Sequence, residues 1–371
     1  MRKSASGRYR LGMESPRRIA VILPRWVGDV CMATPLLRGL RAHFGAGTRI
    51  TGVMRPLFAD LLAGTPWLDD AILYDRHKRD PAVGFRAAAA ALRRLRADVA
   101  VVLPGSLSAA ALAWAGGARR RVGFGGNWRR PLLTDVVRGP AGAMLAPPEA
   151  FALIGRAIGL ADGPLDLELA TTPADEERVD AVLAGLFPGF VPGASGPLVV
   201  LNDNSSNGSA RAWGGANHAA LARWLTGRLP GSRVLVHCGP GDRPQAREVV
   251  ALADNAAVRG LGDVDDLPLG LSKAIYRRAA LAITSDSGPR HIAAAFGVPT
   301  VALIGPTDPL SGRSAPGTCR EIRLDLPCAP CAQAVCPLGH HDCMRLIAVE
   351  QVGAAALELL GAVDRPRRMI A

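Results

Sequence analysis

Lysine is nearly absent from this 371-residue chain, where it occurs only at Lys3, Lys78 and Lys273. The formal net charge of +12 therefore comes from arginine, and it favours an anionic partner such as a phosphorylated substrate, nucleic acid or an anionic membrane surface. Aromatic residues are also scarce, at 5%. Because no zinc-finger, homeodomain or ribonucleoprotein pattern accompanies the positive charge, a dedicated nucleic-acid-binding protein is disfavoured.

The sequence also lacks a recognisable targeting or membrane-spanning segment. The basic N-terminus is followed by a short apolar run at 19–24, which is too short for the apolar region of a signal peptide. The longest uncharged window, 99–118, is interrupted by Pro104-Gly105-Ser106 and is typical of a strand, a turn and a helix. We therefore expect a cytoplasmic protein, and peripheral contact with the inner membrane is left open.

Two common phosphate-binding loops are missing as well. Gly239–Arg243 follows a predicted strand and begins like a dinucleotide-binding loop, but Pro244 replaces the third glycine of G-x-G-x-x-G. No G-x-x-x-x-G-K-[ST] sequence occurs anywhere in the chain. Hydride transfer and P-loop phosphoryl transfer are therefore disfavoured, although Gly241 stays a candidate for contact with a substrate.

The pattern that is present predicts an α/β fold with doubly wound parallel sheets, because apolar strands and amphipathic helices alternate along both halves of the chain. The predicted strands are 19–24, 49–53, 71–74, 99–103, 121–124, 198–202, 233–238, 281–283 and 300–304. We predict two domains, 1–192 and 193–371, with a ligand cleft between the carboxyl ends of their sheets. A final helix at 349–361 either stays with the second domain or packs back on the first.

The turn Ser285-Asp286-Ser287-Gly288 joins a predicted strand to a predicted helix, which makes it a candidate ligand site. Free N–H groups at the start of a helix favour phosphate, whereas the carboxylate of Asp286 fits better as an acceptor for sugar hydroxyls. An ordinary capped helix is the alternative. His291 lies one turn into the helix, on the same side, and favours a ligand site.

Asp29 directly follows the first strand, where parallel sheets present side chains to a ligand. A carboxylate there can act as the general base that takes a proton from an attacking hydroxyl. The alternative is that Asp29 caps a helix beginning near 32–35.

The polar stretch 202–213 follows another strand and can surround a diphosphate. Ser205 and Ser206 would supply hydroxyls, backbone N–H groups would add donors, and Arg211 would add a cation. The alternative is a solvated loop.

Four closely spaced cysteines, Cys328-x2-Cys331-x4-Cys336-x6-Cys343, lie beside His340 and His341. In a cytosolic protein this spacing favours a structural zinc site over disulfides. We expect the other cysteines, Cys31, Cys238 and Cys319, to be small buried residues. Basic runs at 93–96, 119–121 and 129–130 form either a solvated face or a surface for an anionic acceptor.

Six segments, in order and over nearly the whole chain, resemble the bacterial ADP-heptose:lipopolysaccharide heptosyltransferases, glycosyltransferase family 9. The most specific are W-V-G-D at 26–29 and D-S-G-P-x-H at 286–291, and the cysteine segment resembles enzymes that add the second heptose. The other segments are 102–124, 131–135, 201–213 and 328–344, with the two motifs lying inside 21–44 and 266–309.

The resemblance implies a GT-B fold with two Rossmann-like domains, an acceptor-binding N-terminal one and a donor-binding C-terminal one. It implies inverting transfer of heptose from ADP-L-glycero-D-manno-heptose to a lipid-linked inner-core acceptor of lipopolysaccharide (Kdo or heptose on lipid A), with no metal required. Asp29 matches the general base. Asp286, Ser287, Gly288 and His291 match the donor-binding turn, and Arg211 replaces a lysine that neutralises the departing diphosphate.

The chain departs from the family pattern at several positions. Asp203-Asn204-Ser205 replaces Pro-Gly-Ala, Ala212 replaces an arginine, and Ser108 replaces an arginine that relatives often carry. Asp203 is expected to put an acidic group near the diphosphate. The alternatives are a family 9 transferase with another sugar nucleotide or acceptor, a sugar-nucleotide 2-epimerase, and a non-enzymatic, zinc-clipped anion-binding module.

Overall fold

A computed structural model of the chain describes residues 16–140, 144–203, 208–313 and 319–361. The strands in these ranges form two parallel sheets of six strands each, with helices between consecutive strands. The predicted doubly wound α/β fold is thus confirmed. None of the helices in the described ranges is both long and apolar enough to cross a lipid bilayer.

The strands are short, as is usual for parallel sheets that are covered by helices. In the first sheet they are β1 Arg18–Ile22, β2 Arg49–Met54, β3 Asp70–Leu73, β4 Val99–Val102, β5 Arg120–Phe124 and β6 Asp135–Val137. In the second sheet they are β7 Leu198–Asn202, β8 Arg233–Val236, β9 Val258–Gly260, β10 Leu281–Ser285, β11 Thr300–Leu303 and β12 Cys319–Ile322.

The α-helices range from one turn to about four turns. They are α1 Val27–Met32, α2 Thr34–Phe44, α3 Pro56–Leu62, α4 Phe85–Leu95, α5 Leu107–Ala115, α6 Pro147–Ala157, α7 Pro173–Leu186, α8 Gly215–Arg228, α9 Arg243–Ala253, α10 Leu269–Arg278, α11 Gly288–Ala295, α12 Asp342–Arg345 and α13 Val349–Gly361.

The two sheets have the same topology. The spatial order is β3-β2-β1-β4-β5-β6 in the first and β9-β8-β7-β10-β11-β12 in the second. In each, the winding direction reverses between the first and the fourth strand along the chain. Ligands of doubly wound folds bind beyond the carboxyl ends of the strands at such a reversal, which here falls between β1 and β4 and between β7 and β10.

The chain divides into two compact units that are discontinuous in sequence. The first contains residues up to Arg25, Ala33–Ala59 and Thr65–Leu165, and the second contains Trp26–Met32, Asp60–Gly64 and the chain from Asp166 onward. The sequence suggested a single division near residue 192, whereas α7 lies in the second unit, where it packs against α10. The helix α13 packs on α8, β10 and β11 of this same unit.

Central strands are easier to predict from the sequence than edge strands. The central strands β4, β7 and β10 are buried along their whole length, so they form uninterrupted apolar runs and were predicted. Three edge strands, β6, β9 and β12, were missed. They have three or four residues each and include partly exposed charged residues, such as Arg259 and Glu321, which obscure the strand pattern.

Lys273 is fully buried and ties together distant segments of the second unit. Its Nζ donates to the backbone oxygen of Ala63 at 2.9 Å and lies 3.5 Å from Oδ2 of Asp175. Asp60 accepts from the backbone N–H of Gly270 at 2.7 Å. Burial lowers the pKa of Lys273, while Asp175 and Asp60 oppose that shift and favour its charged form.

Replacing Lys273 with methionine should therefore destabilise the protein by about 3 kcal/mol, because two carboxylates would lose a buried cation. The change can be measured from the urea unfolding midpoint. Arg277→Met is a matched control, since Arg277 forms a half-exposed ion pair with Glu176 and should cost less than about 1 kcal/mol. Equal effects of the two substitutions would contradict a structural role for the buried lysine.

Candidate active site

Side chains from the ends of β7 and β10 meet at the reversal point of the second sheet. Ser287 Oγ donates to Asn202 Oδ1 at 3.4 Å, and Asn202 Nδ2 donates to the backbone oxygen of His237 at 3.2 Å. His237 Nε2 lies 2.9 Å from Ser272 Oγ. Burial lowers the pKa of His237 to about 4, so this network is neutral at physiological pH and fixes the end of β7 to the donor-binding turn predicted from the sequence.

The helix α11 begins at this point without a side-chain cap. Ser287 occupies the N-cap position, but its side chain forms no capping hydrogen bond. Within the described part of the chain, three nearby buried atoms also lack a hydrogen-bond partner: Ser285 Oγ, Arg290 Nε and His291 Nδ1. Buried polar groups are usually paired, so this group of unpaired atoms indicates a place where a polar ligand binds.

The helices α1 and α11 approach each other closely because two glycines leave room. A Cβ atom on Gly28 would lie 2.6 Å from Cδ2 of His291, and a Cβ atom on Gly288 would lie 3.0 Å from Cβ of Val27. Both separations are too short for a larger residue without a shift. The glycines of W-V-G-D and D-S-G-P-x-H therefore bring the two motifs into direct contact within the second unit.

Asp29 is the third residue of α1, and it is partly buried. The alternative that it caps the following helix is wrong, because Ala33 is the N-cap residue of α2. Burial raises the pKa of Asp29 to about 6; Arg211 lowers it and Asp286 raises it. A carboxylate whose pKa is near neutrality is suited to take a proton from a hydroxyl group.

This pKa predicts the pH dependence of the reaction. The general base that the sequence predicts at position 29 must be ionised to accept a proton, so that prediction requires kcat/KM to fall about tenfold per pH unit below pH 6 and to level off above it. Steady-state rates measured between pH 5 and 9 would test this. A profile that stays flat down to pH 5 would mean that Asp29 is not the group that accepts the proton.

Arg211 reaches the same site from the loop after β7. Its Nη1 donates to the backbone oxygen of Asp286 at 2.8 Å, and its charge lies close enough to influence Asp29. The turn that carries it, Ser209–Arg211, is fastened by the hydrogen bond from Ala210 N to Ala334 O at 3.1 Å. The cation predicted from the sequence is thus held beside both predicted aspartates.

The carboxylate of Asp286 has a partner that the sequence did not reveal. Arg290, one turn further along, donates to Asp286 Oδ1 at 3.0 Å and also binds Glu321 of β12. The sequence assigned no role to Arg290, because it occupies the variable position x of D-S-G-P-x-H. Glu321 lies on the edge strand β12, which was not predicted. Their contact needs the pairing of β11 with β12, which no short-range pattern indicates.

The side chain of Asp203 stabilises the start of the polar loop. Its carboxylate accepts from the backbone N–H groups of Trp213 at 2.6 Å and Gly214 at 3.0 Å, and from Gln245 Nε2 at 3.0 Å. The acidic side chain that was expected to lie near the diphosphate is therefore engaged in holding the loop.

The remaining predicted ligand-binding residues have different outcomes. Ser205 and Ser206 lie outside the described residues. Gly241 lies in the exposed turn after β8, which β7 separates from β10 in the sheet.

The cysteine segment forms a loop between β12 and α12. Burial, followed by the neighbouring thiols of Cys331, Cys328 and Cys336, raises the pKa of Cys343. Backbone N–H groups, that of His341 first, lower the pKa of Cys336. Even so, no group of three or more His, Cys, Asp or Glu side chains in the described ranges is arranged to hold a metal ion. Cys31 and Cys238 are buried as expected, whereas the prediction that Cys319 is buried is wrong, because it is partly exposed on the edge strand β12.

Comparison with known proteins shows the family to which the chain belongs. The model of glycosyltransferase family 9 (heptosyltransferase) matches residues 85–341. Lipooligosaccharide heptosyltransferase 2 of Campylobacter jejuni is 32% identical over 173 residues, which are 44% of this chain and 51% of that protein. Lipopolysaccharide heptosyltransferase 2 of Escherichia coli K12 is 27% identical over 312 residues, which are 83% of this chain and 88% of that protein.

A solved structure, that of E. coli ADP-heptose lps heptosyltransferase II, is 25% identical and has a TM-score of 0.75, covering 94% of this chain and 99% of that one. The predicted GT-B fold is therefore confirmed, and the family whose model matches the chain is one of glycosyltransferases. The chain belongs to glycosyltransferase family 9, the heptosyltransferases. This assignment excludes the non-enzymatic anion-binding module considered from the sequence.

Proposed function

We propose that the protein transfers heptose from ADP-L-glycero-D-manno-heptose to the inner core of lipopolysaccharide, with inversion at the anomeric carbon. The observation that carries this proposal is the grouping of Asp29, Arg211 and Asp286 where α1 contacts α11. A base, a cation and a hydroxyl acceptor are the groups that glycosyl transfer from a diphospho-sugar needs. The names of the E. coli and C. jejuni relatives support heptose as the sugar.

In the proposed reaction, Asp29 removes the proton from the attacking hydroxyl of the acceptor. The hydroxyl oxygen forms a bond to the anomeric carbon as the bond from that carbon to the diphosphate oxygen breaks, and ADP leaves. Arg211 and the uncapped start of α11 stabilise the negative charge that develops on the diphosphate. The base and the leaving group act on opposite faces of the carbon, which gives inversion. No catalytic cofactor takes part.

The donor sugar is proposed to be held by Asp286 and His291. The pKa of His291 is lowered to about 4 by burial and by Arg290, so its ring is neutral and can either donate or accept a hydrogen bond. The salt bridge with Arg290 holds the carboxylate of Asp286 in a fixed orientation. A neutral donor hydroxyl is then a better partner than phosphate for this carboxylate.

The first unit is proposed to bind the anionic part of the acceptor. Desolvation and the charges of Arg25 and Arg76 lower the pKa of His77. Arg76 Nε donates to His77 Nε2 at 2.9 Å, and Arg55 Nη1 donates to the backbone oxygen of Arg25 at 3.4 Å. Arg55 adds a further charge and is fixed by its 2.9 Å salt bridge to Asp75. A cluster of this kind suits the phosphates and carboxylates of a lipid-linked acceptor. Such an acceptor implies that the enzyme works at the inner membrane surface.

The proposal is tested by supplying ADP-heptose together with Kdo-lipid A that already carries one heptose, and by measuring ADP release and product mass. Transfer with a change of anomeric configuration is expected. Incubating the enzyme with the donor but without acceptor distinguishes a transferase from a 2-epimerase, because only an epimerase should convert the donor alone. Selective binding of a different nucleoside diphosphate in calorimetry would favour a family 9 transferase with another donor.

A structural zinc ion at Cys328, Cys331, Cys336 and Cys343 stays a prediction that rests on their spacing. One zinc per chain is expected in protein purified without added metal, and its removal by a chelator should lower the melting temperature. Substoichiometric zinc would remove this prediction without affecting the proposed reaction.

A further inference from the structure

The outward face of α5 is apolar, which is unusual for a helix at the surface of a protein. Leu107 is 46% exposed and Trp114 is 59% exposed, and they lie two turns apart on the same face, with Ala111 between them. The helix contains no charged residue. Surface helices normally place polar side chains outward, so this face is suited to an apolar environment.

A third exposed apolar side chain lies in a loop that is tied to the turn before this helix. Trp128 is 92% exposed and lies in the loop after β5 with a positive φ of 59°. Its neighbours tie the loop to the turn before α5, since Asn127 Nδ2 donates to Gly105 O at 2.8 Å and the buried Arg129 binds Pro104 O. A tryptophan in this strained, exposed position is not stabilised by packing in the interior of the protein.

Arginines border this face at both ends. Arg76 donates to Ser108 Oγ at 3.3 Å near the start of α5, and Arg93 donates to the backbone oxygen of Ala115 at 2.7 Å at its end. The surrounding sequence, 85–134, contains nine arginines and one acidic residue, Asp98. The apolar face therefore lies within a strongly basic segment of the sequence.

We propose that Leu107, Trp114 and Trp128 form a membrane-docking surface that inserts at the level of the headgroups of an anionic bilayer. Apolar and aromatic side chains next to arginines match the two layers of such an interface, an acyl boundary and a negative headgroup plane. A second copy of the chain is disfavoured as the occupant, because pairing this face with itself would bring like charges together. The proposal rests on the proposed function, whose acceptor is lipid-linked.

The experiment is cosedimentation of the full chain with vesicles of phosphatidylcholine alone or with 30% phosphatidylglycerol. Binding to the anionic vesicles is expected, and it should weaken as salt is raised. Leu107→Ser combined with Trp114→Ser should lower the partition coefficient at least about tenfold. Arg93→Gln, at the C-terminal border of the face, should lower it about fivefold, as expected for one surface cation.

Two control variants match these changes in the second unit. Leu252 on α9 is 45% exposed, nearly the same as Leu107, and Arg228 on α8 is exposed. Leu252→Ser and Arg228→Gln should leave vesicle binding unchanged. The Leu107/Trp114 variant should keep its full rate on a deacylated, soluble acceptor and lose rate only on an acceptor embedded in vesicles.

Several results would overturn the proposal. One is equal binding of the protein to both kinds of vesicle. Another is a loss of vesicle binding in the control variants as large as that in the Leu107/Trp114 variant. A third is a dimer of the wild-type chain in sedimentation velocity that is absent in the Leu107/Trp114 variant. The proposed function fails separately, if the wild-type chain does not transfer heptose to the soluble acceptor. Vesicle binding is measured without substrates and keeps its meaning in that case.

Discussion

Asp29→Asn should lower kcat by about 10²- to 10⁴-fold while leaving the affinity for the nucleotide sugar nearly unchanged, because asparagine preserves shape but cannot accept the proton. The variant also removes a carboxylate whose ionisation burial disfavours, since its pKa rises from 3.8 to about 6 on folding. That penalty is absent below pH 3.8 and complete above pH 6. At pH 8 the variant should therefore be more stable than wild type by about 3 kcal/mol, and at pH 4 the difference should nearly vanish.

Both parts of this prediction can be measured on the same preparations, by donor calorimetry with single-turnover rates and by urea unfolding at the two pH values. Asp254→Asn is the control, because Asp254 is exposed and its left-handed backbone, φ 42°, suits asparagine as well. Residual transfer above about a tenth of the wild-type rate would exclude Asp29 as the base. If the variant instead lost affinity for the nucleotide sugar, Asp29 would be assigned a role in binding the donor.

Arg211→Met should lower kcat by about 10²- to 10³-fold, the usual cost of removing one preorganised group that stabilises charge in a transition state. The loss should also raise the pKa of Asp29 further, because Arg211 is the cation that lowers it. The acidic limb of the pH–rate profile would then move to higher pH. Rates from pH 5 to 9 for wild type and variant measure both effects.

Arg211→Lys should recover part of the rate, since it restores the charge without the forked geometry that reaches the backbone oxygen of Asp286. Arg228→Met serves as the control for loss of an exposed arginine, because Arg228 packs over Trp224 away from the site. If Arg211→Met changed KM alone and left kcat and the pH profile intact, Arg211 would contribute to ground-state binding only.

The agreement between sequence and structure depends on how local each feature is. W-V-G-D and D-S-G-P-x-H each follow a buried strand, and a side chain after a parallel strand lies at the ligand-binding edge whatever the rest of the chain does. The sequence by itself therefore determined the alternating fold and the candidacy of Asp29 and His291. It also disfavoured the nucleotide-binding loops of dehydrogenases and P-loop enzymes.

Other features depend on contacts between residues that are far apart in the sequence. The pairing of Arg290 with Glu321 needs β12, and the burial of Lys273 needs three separate segments to converge. The close contact of Gly28 with His291 depends on how α1 packs against α11. That packing also sets the pKa of Asp29, because desolvation and the field of Arg211 exist only after folding. The sequence thus determined which residue could be the base, and only the tertiary structure decided that its proton affinity suits the task.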